Sequence, residues 1–148
     1  ASLIANSSKA IGVLSDVDQE SLNSLYFFGR QLGLAFQVVD DILDFTGNDE
    51  QLGKPAASDL QSGYLTAPVF YALDENPTLS ELINGKFSKK DDLDKALSLV
   101  RDSSAISKSR ELAEKFASES KDSISWLPDS PSKKALLELP EFVISRLY

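Results

Sequence analysis

Apolar residues along this chain fall on helical spacing almost everywhere. In residues 1–15 Leu3, Ile4, Ile11 and Leu14 recur with small residues between them. "SDVDQES" then reads as a turn that carries helix-starting residues. From Leu22 to Phe45 the pattern is one long apolar helix, interrupted by Gly29 and Gly33. Glycine costs stability there but lets another backbone approach closely. "TGNDEQLGKPAASD" is a loop by its Gly, Pro, Asn and Asp content. Helical patterns resume over Thr66–Leu73, with Pro68 suited to a first turn, and over Thr78–Ile83, Lys90–Arg101, Ala105–Trp126 and Lys133–Leu147. The breaks are "ENP", "NGKFS" and "LPDSPS", the last with an Asp-Ser-Pro start signal. Strand-like alternation and internal repeats are missing. The pattern predicts an all-α fold, a helical bundle or part of one.

Composition narrows the chemistry. The chain has 148 residues, enough for one core, and its 42% apolar and 26% charged content is that of a folded domain. With 15 basic against 23 acidic residues the net charge is -8, so no basic stripe exists to neutralise a nucleic acid. Small phosphorylated ligands stay open, because divalent cations bridge acid to phosphate. There is no Cys and no His. That excludes disulfides, Cys/His zinc sites and Ser–His or Cys–His catalysis, and leaves carboxylates, Lys, Arg, Tyr and bound metal. No apolar run reaches the roughly 18 residues of a membrane span. Met is absent, and the chain opens in a helical pattern with no start signal beyond Ser2. The expectation is the C-terminal piece of something longer, with a trimmed chain as the plainer alternative.

The stretch "GLAFQVVDDILDFTG" sets Asp40, Asp41 and Asp44 into an otherwise apolar run. Each helical residue advances about 100°, so Asp40 and Asp44 stack, Asp41 lies beside them and Gln37 is one turn earlier. Carboxylates at that spacing repel, and an apolar surround raises the cost. A hard cation such as Mg²⁺ relieves both, taking one or two carboxylates plus substrate phosphate. The plain alternative is three acids facing solvent. Asp91, Asp92 and Asp94 in "FSKKDDLDKAL" are an internal comparison. There Ser88 is placed to cap, Asp91 falls at the third helical position, lysines flank the acids, and the helix dipole favours them. The 40–44 cluster has none of that support. Downstream, Lys54 and Asp59 lie in a Gly/Pro-bracketed loop. Lys54 suits a diphosphate as a point charge, and a solvated loop lysine is its plain alternative.

Together, "GLAFQVVDDILDFTG…LGKPAASDL…TAP" resembles the second aspartate-rich region of the trans-isoprenyl diphosphate synthases, closest to the long-chain enzymes of cyanobacteria and plastids. The opening "ASLIANSSKAIGVLS" is similar to the segment after that family's Lys-Thr pair, so the resemblance spans the chain. It implies an all-α isoprenoid-synthase bundle, of which residues 1–148 are the C-terminal portion of a single domain. It further implies Mg²⁺-dependent condensation of an allylic diphosphate with isopentenyl diphosphate into a long all-trans chain. Diphosphate leaves, the isopentenyl double bond attacks the cation, and a proton is lost.

By the same resemblance Asp40 ligates Mg²⁺, supported by Asp41 and Asp44 directly or through water. Gln37 lines the allylic site, Lys54 contacts the diphosphate, Asp59 stands behind it, and Phe36 lies against a hydrocarbon chain. A homodimer is implied for the full-length form, in cytoplasm or plastid stroma. One position departs: Tyr64 follows Gly63 where many members have a lysine. The first aspartate-rich motif would precede Ala1, so this chain alone is expected not to elongate. A non-catalytic partner subunit and a terpene cyclase are the alternatives. Trp126, Tyr26, Phe27 and Phe28 read as core or helix-packing residues, and Arg146 as one that could approach a diphosphate when the C-terminal tail closes.

Overall fold

The structure, a computed structural model, describes residues 1–47, 57–89 and 91–148. Lys54 lies outside them. The described residues form eight helices: α1 (Ser2–Leu14), α2 (Gln19–Thr46), α3 (Ser58–Gln61), α4 (Ala67–Glu75), α5 (Pro77–Asn84), α6 (Asp92–Arg101), α7 (Ala105–Ser123) and α8 (Pro131–Ser145). The all-α expectation holds, and no strand occurs among the described residues. No helix there is long and apolar enough to cross a membrane.

The chain divides into two units, Ala1–Val39 with Leu112–Tyr148, and Asp40–Glu111. In the first, α2 begins three residues before the sequence pattern does. The Asp18 carboxylate accepts the Ser21 N–H at 2.8 Å, so a polar first turn is held by its cap rather than by burial. That backbone bond is also what holds the Asp18 carboxyl below its usual range. Gly29 and Gly33 do bring backbones together. A β-carbon on Gly29 would stand 2.5 Å from the Ile4 carbonyl, and one on Gly33 2.5 Å from the Ala1 Cα. Farther along, the Ser120 hydroxyl donates to the Phe28 carbonyl at 3.0 Å, and Gln31 donates to the Glu119 carboxylate.

Of the four aromatics read as core or helix-packing, Phe28 alone lies in the core. Of the aromatic triplet only Phe28 is buried, whereas Tyr26 and Phe27 are more than a third exposed. Three consecutive helical residues sweep about 200°, so they cannot all face one core. Trp126 is 45% exposed, because α7 stops at Ser123 and leaves the indole on the turn beyond it.

In the second unit Phe45, Leu60, Val69, Leu79 and Val100 are buried in one cluster with four alanines, Ala57, Ala72, Ala96 and Ala105. Pro68 and Pro77 occupy the first turns of α4 and α5, where a missing N–H is harmless. The start of α6 differs from expectation. Asp91 is the residue before the helix, not its third, and the Asp92 carboxylate accepts the Lys89 N–H at 3.0 Å.

Candidate functional site at the end of the long helix

The final turns of α2 carry all three candidate carboxylates. Asp40 is half-buried, Asp41 is 7% exposed and Asp44 only 1%. Around them Val39, Ile42 and Phe45 are fully buried, which holds the helix rigidly in place. A helix end leaves its last carbonyls without intrahelical donors. Three of them have identified donors here. The Leu43 carbonyl accepts from the Gly47 N–H at 2.7 Å, the Asp44 carbonyl from the Ala57 N–H at 2.9 Å, and the Phe45 carbonyl from Arg101 Nε at 2.7 Å.

The Asp44 side chain is engaged as well. Its carboxylate accepts the Ser58 hydroxyl and the Asp59 N–H, both at 3.2 Å. Asp44 and Asp59 are thus brought together, through the backbone of Asp59. Ser58 and Arg101 were not singled out from the sequence. Ser58 carries a local signal, a hydroxyl residue opening a short helix after a left-handed Ala57 (φ 55°). Arg101 lies 56 residues from Phe45, and no local pattern could find it.

Gln37 and Phe36 stand earlier on α2, and both are exposed. The guanidinium of Arg146 lies 4.9 Å from the Phe36 ring centroid, a cation–π distance. Among the described residues, no three carboxylates gather closely enough to hold a metal ion by themselves. The donor set is nonetheless one for a hard cation. It offers carboxylate oxygen only, and Asp40 is the most accessible of the three. That arrangement supplies one or two ligands and leaves the remaining positions for water and phosphate oxygen, which is how Mg²⁺ is usually held.

Comparison with known proteins adds independent findings. The family model described as polyprenyl synthetase matches residues 1–100. A prenyl transferase of Synechocystis is 50% identical over all 148 residues, which cover 46% of its own length. Solanesyl diphosphate synthase 2, chloroplastic, of Arabidopsis thaliana is 44% identical over 147 residues, covering 99% of this chain and 35% of that protein. Among solved structures, the apo form of an Arabidopsis medium/long-chain length prenyl pyrophosphate synthase superposes with a TM-score of 0.87 at 39% identity. That match covers 99% of this chain and 51% of the other. The chain therefore spans about half the length of the relatives it matches, or less.

Proposed function

The chain belongs to the polyprenyl synthetase family, and from that membership we propose that the protein is a long-chain trans-polyprenyl diphosphate synthase. Its residues 1–148 would be the C-terminal portion of the synthase domain. The substrates are an allylic diphosphate and isopentenyl diphosphate, and the cofactor is Mg²⁺. The observation that carries this reading is a half-buried Asp40 on a rigid helix, flanked by Asp41 and Asp44, in a chain half identical to a prenyl transferase.

In this proposal Asp40 is the ligand of the metal, with Asp41 a supporting carboxylate and Asp44 the third carboxylate of the same helix end. Bound Mg²⁺ would neutralise the charge that develops as diphosphate leaves. Gln37 orients the allylic group, Phe36 offers an apolar surface to a hydrocarbon chain, Lys54 meets diphosphate oxygen, and Asp59 stands behind them. Fixed charges at the leaving group matter most, since preorganised electrostatics dominate such steps. A homodimer in the plastid stroma or cyanobacterial cytoplasm completes the reading, in keeping with a chloroplastic relative.

The test is elongation by the full-length protein, with an allylic diphosphate and radiolabelled isopentenyl diphosphate, in Mg²⁺ and in EDTA. Long radiolabelled products in Mg²⁺ alone are expected. Binding of Mg²⁺–pyrophosphate without elongation would establish the partner-subunit alternative, and a cyclic hydrocarbon product the terpene cyclase.

A further inference from the structure

The third aspartate of the motif is placed differently from the first. Asp44 is 1% exposed, and its three identified hydrogen bonds run to consecutive residues beyond the end of α2. Its carbonyl accepts Ala57 N–H at 2.9 Å, and its carboxylate accepts Ser58 Oγ and Asp59 N–H at 3.2 Å each. Ala57 adopts φ 55°, a left-handed conformation that is unfavourable for a residue bearing a β-carbon and persists only where its surroundings hold it. Next to it, Arg101 Nε holds the Phe45 carbonyl at 2.7 Å. One residue of α2 thereby binds both the backbone and the side chain of the 57–59 turn.

We propose that Asp44 is a positioning residue, a clasp that sets the turn of Ala57, Ser58 and Asp59 against the Asp40–Asp41 end of α2, and not a metal ligand. This rests on the reading of Asp40 as the ligand. The chemistry favours it. Each oxygen of this carboxylate already accepts one hydrogen bond, almost no solvent reaches it, and drawing it to a cation would leave the Ser58 hydroxyl and the Asp59 N–H unsatisfied. An amide at position 44 retains an oxygen that can accept the Asp59 N–H while removing the negative charge. Clasp and ligand roles therefore separate under Asp44→Asn.

The experiment compares full-length wild type, Asp44→Ala, Asp44→Asn and Asp40→Asn. It reads amide hydrogen exchange at Ala57 and Asp59, and Mg²⁺–pyrophosphate affinity by calorimetry. Asp44→Ala is expected to speed exchange at both amides at least about tenfold and to weaken pyrophosphate binding. Asp44→Asn is expected to restore most of the protection and most of the affinity, a rescue that a ligand role does not allow. The clasp is overturned if Asp44→Asn loses as much affinity as Asp40→Asn while its exchange stays at the wild-type rate. It is overturned equally if Asp44→Ala exchanges like wild type. Should Asp44→Ala not fold, the Asp44→Asn comparison decides alone. If wild type binds no Mg²⁺–pyrophosphate, or Asp40→Asn binds it undiminished, the site assignment fails, while the exchange rates still report on the clasp.

Discussion

Gly29 and Gly63 show two different reasons for one residue type. A β-carbon at Gly29 would lie 2.5 Å from the Ile4 carbonyl and 2.8 Å from the Ala5 Cα, both backbone atoms with little room to move. At Gly63 nothing stands within 4 Å, but φ is +85°. Alanine at 29 gains about 1 kcal/mol of helix propensity and loses about 1–3 kcal/mol to overpacking, so Gly29→Ala is expected to lower stability by about 1 kcal/mol net. Gly63→Ala is expected to cost about 1–2 kcal/mol, entirely from backbone conformation. Urea midpoints at constant slope check both. Glu75 yields a prediction in pH. Hydrogen bonds from Ser104, then from Lys108 at 2.9 Å, hold its carboxyl down at about 2 against a normal 4.5. The folded value lies below the unfolded one, so this stabilisation is present above pH 4.5 and is lost as pH falls from there towards 2. The same pairing raises Lys108, whose contribution is present below its normal 10.5 and fades as pH rises through the raised folded value. Both groups are exposed and screened by salt. Melting temperatures of wild type and Glu75→Gln are therefore expected to converge on acidification from pH 5 to pH 2, and to lie closer together throughout in high salt.

Helices announced themselves by period, while their ends depended on partners. The pattern located seven of the eight helices among the described residues, to within about three residues at their starts. The α2 start was misjudged because Asp18 holds a polar turn, and the α7 end because Trp126 looked like a continuation of the apolar face. The helix α3 was not foreseen, since four residues cannot display a period of 3.6. The Asp-Ser-Pro signal held, since the Ser130 hydroxyl accepts the Lys133 N–H at 3.1 Å with Pro131 first in α8, whereas the Ser88 signal did not, since α6 starts after Asp91. Ser130→Ala is expected to cost about 1 kcal/mol, the usual value for a lost cap. Arg101→Ala is the larger loss on the same scale. It leaves the carbonyl of the fully buried Phe45 without its 2.7 Å donor. The expected cost is about 1–3 kcal/mol, with faster exchange confined to the last turn of α2. Thermal and denaturant unfolding of the two variants side by side checks the order.

Across the molecule, the candidate site was legible where chemistry conflicts with environment. Three carboxylates in an apolar helix stand out in any sequence, whereas Ser58, which donates to Asp44, and Arg101, which donates to the Phe45 carbonyl, were paired only when the fold closed distances of 14 and 56 residues. The same conflict predicts how the site behaves. The chain carries net charge -8, and in the proposed site bare pyrophosphate would be repelled by Asp40 and its neighbours unless Mg²⁺ bridged them. Pyrophosphate binding to the full-length protein is therefore expected to require Mg²⁺ and to vanish in EDTA. Asp40→Asn keeps the size and packing of the side chain but removes the charge that would meet the cation in the proposed site. If that charge acts as diphosphate departs, the variant is expected to lose about 10²–10³ in kcat, with the KM for isopentenyl diphosphate little changed. A loss confined to KM would instead make Asp40 a residue for ground-state binding alone. Steady-state kinetics with both substrates varied, at saturating Mg²⁺, separates the two, because only the loss of an interaction strengthened in the transition state lowers kcat without raising KM.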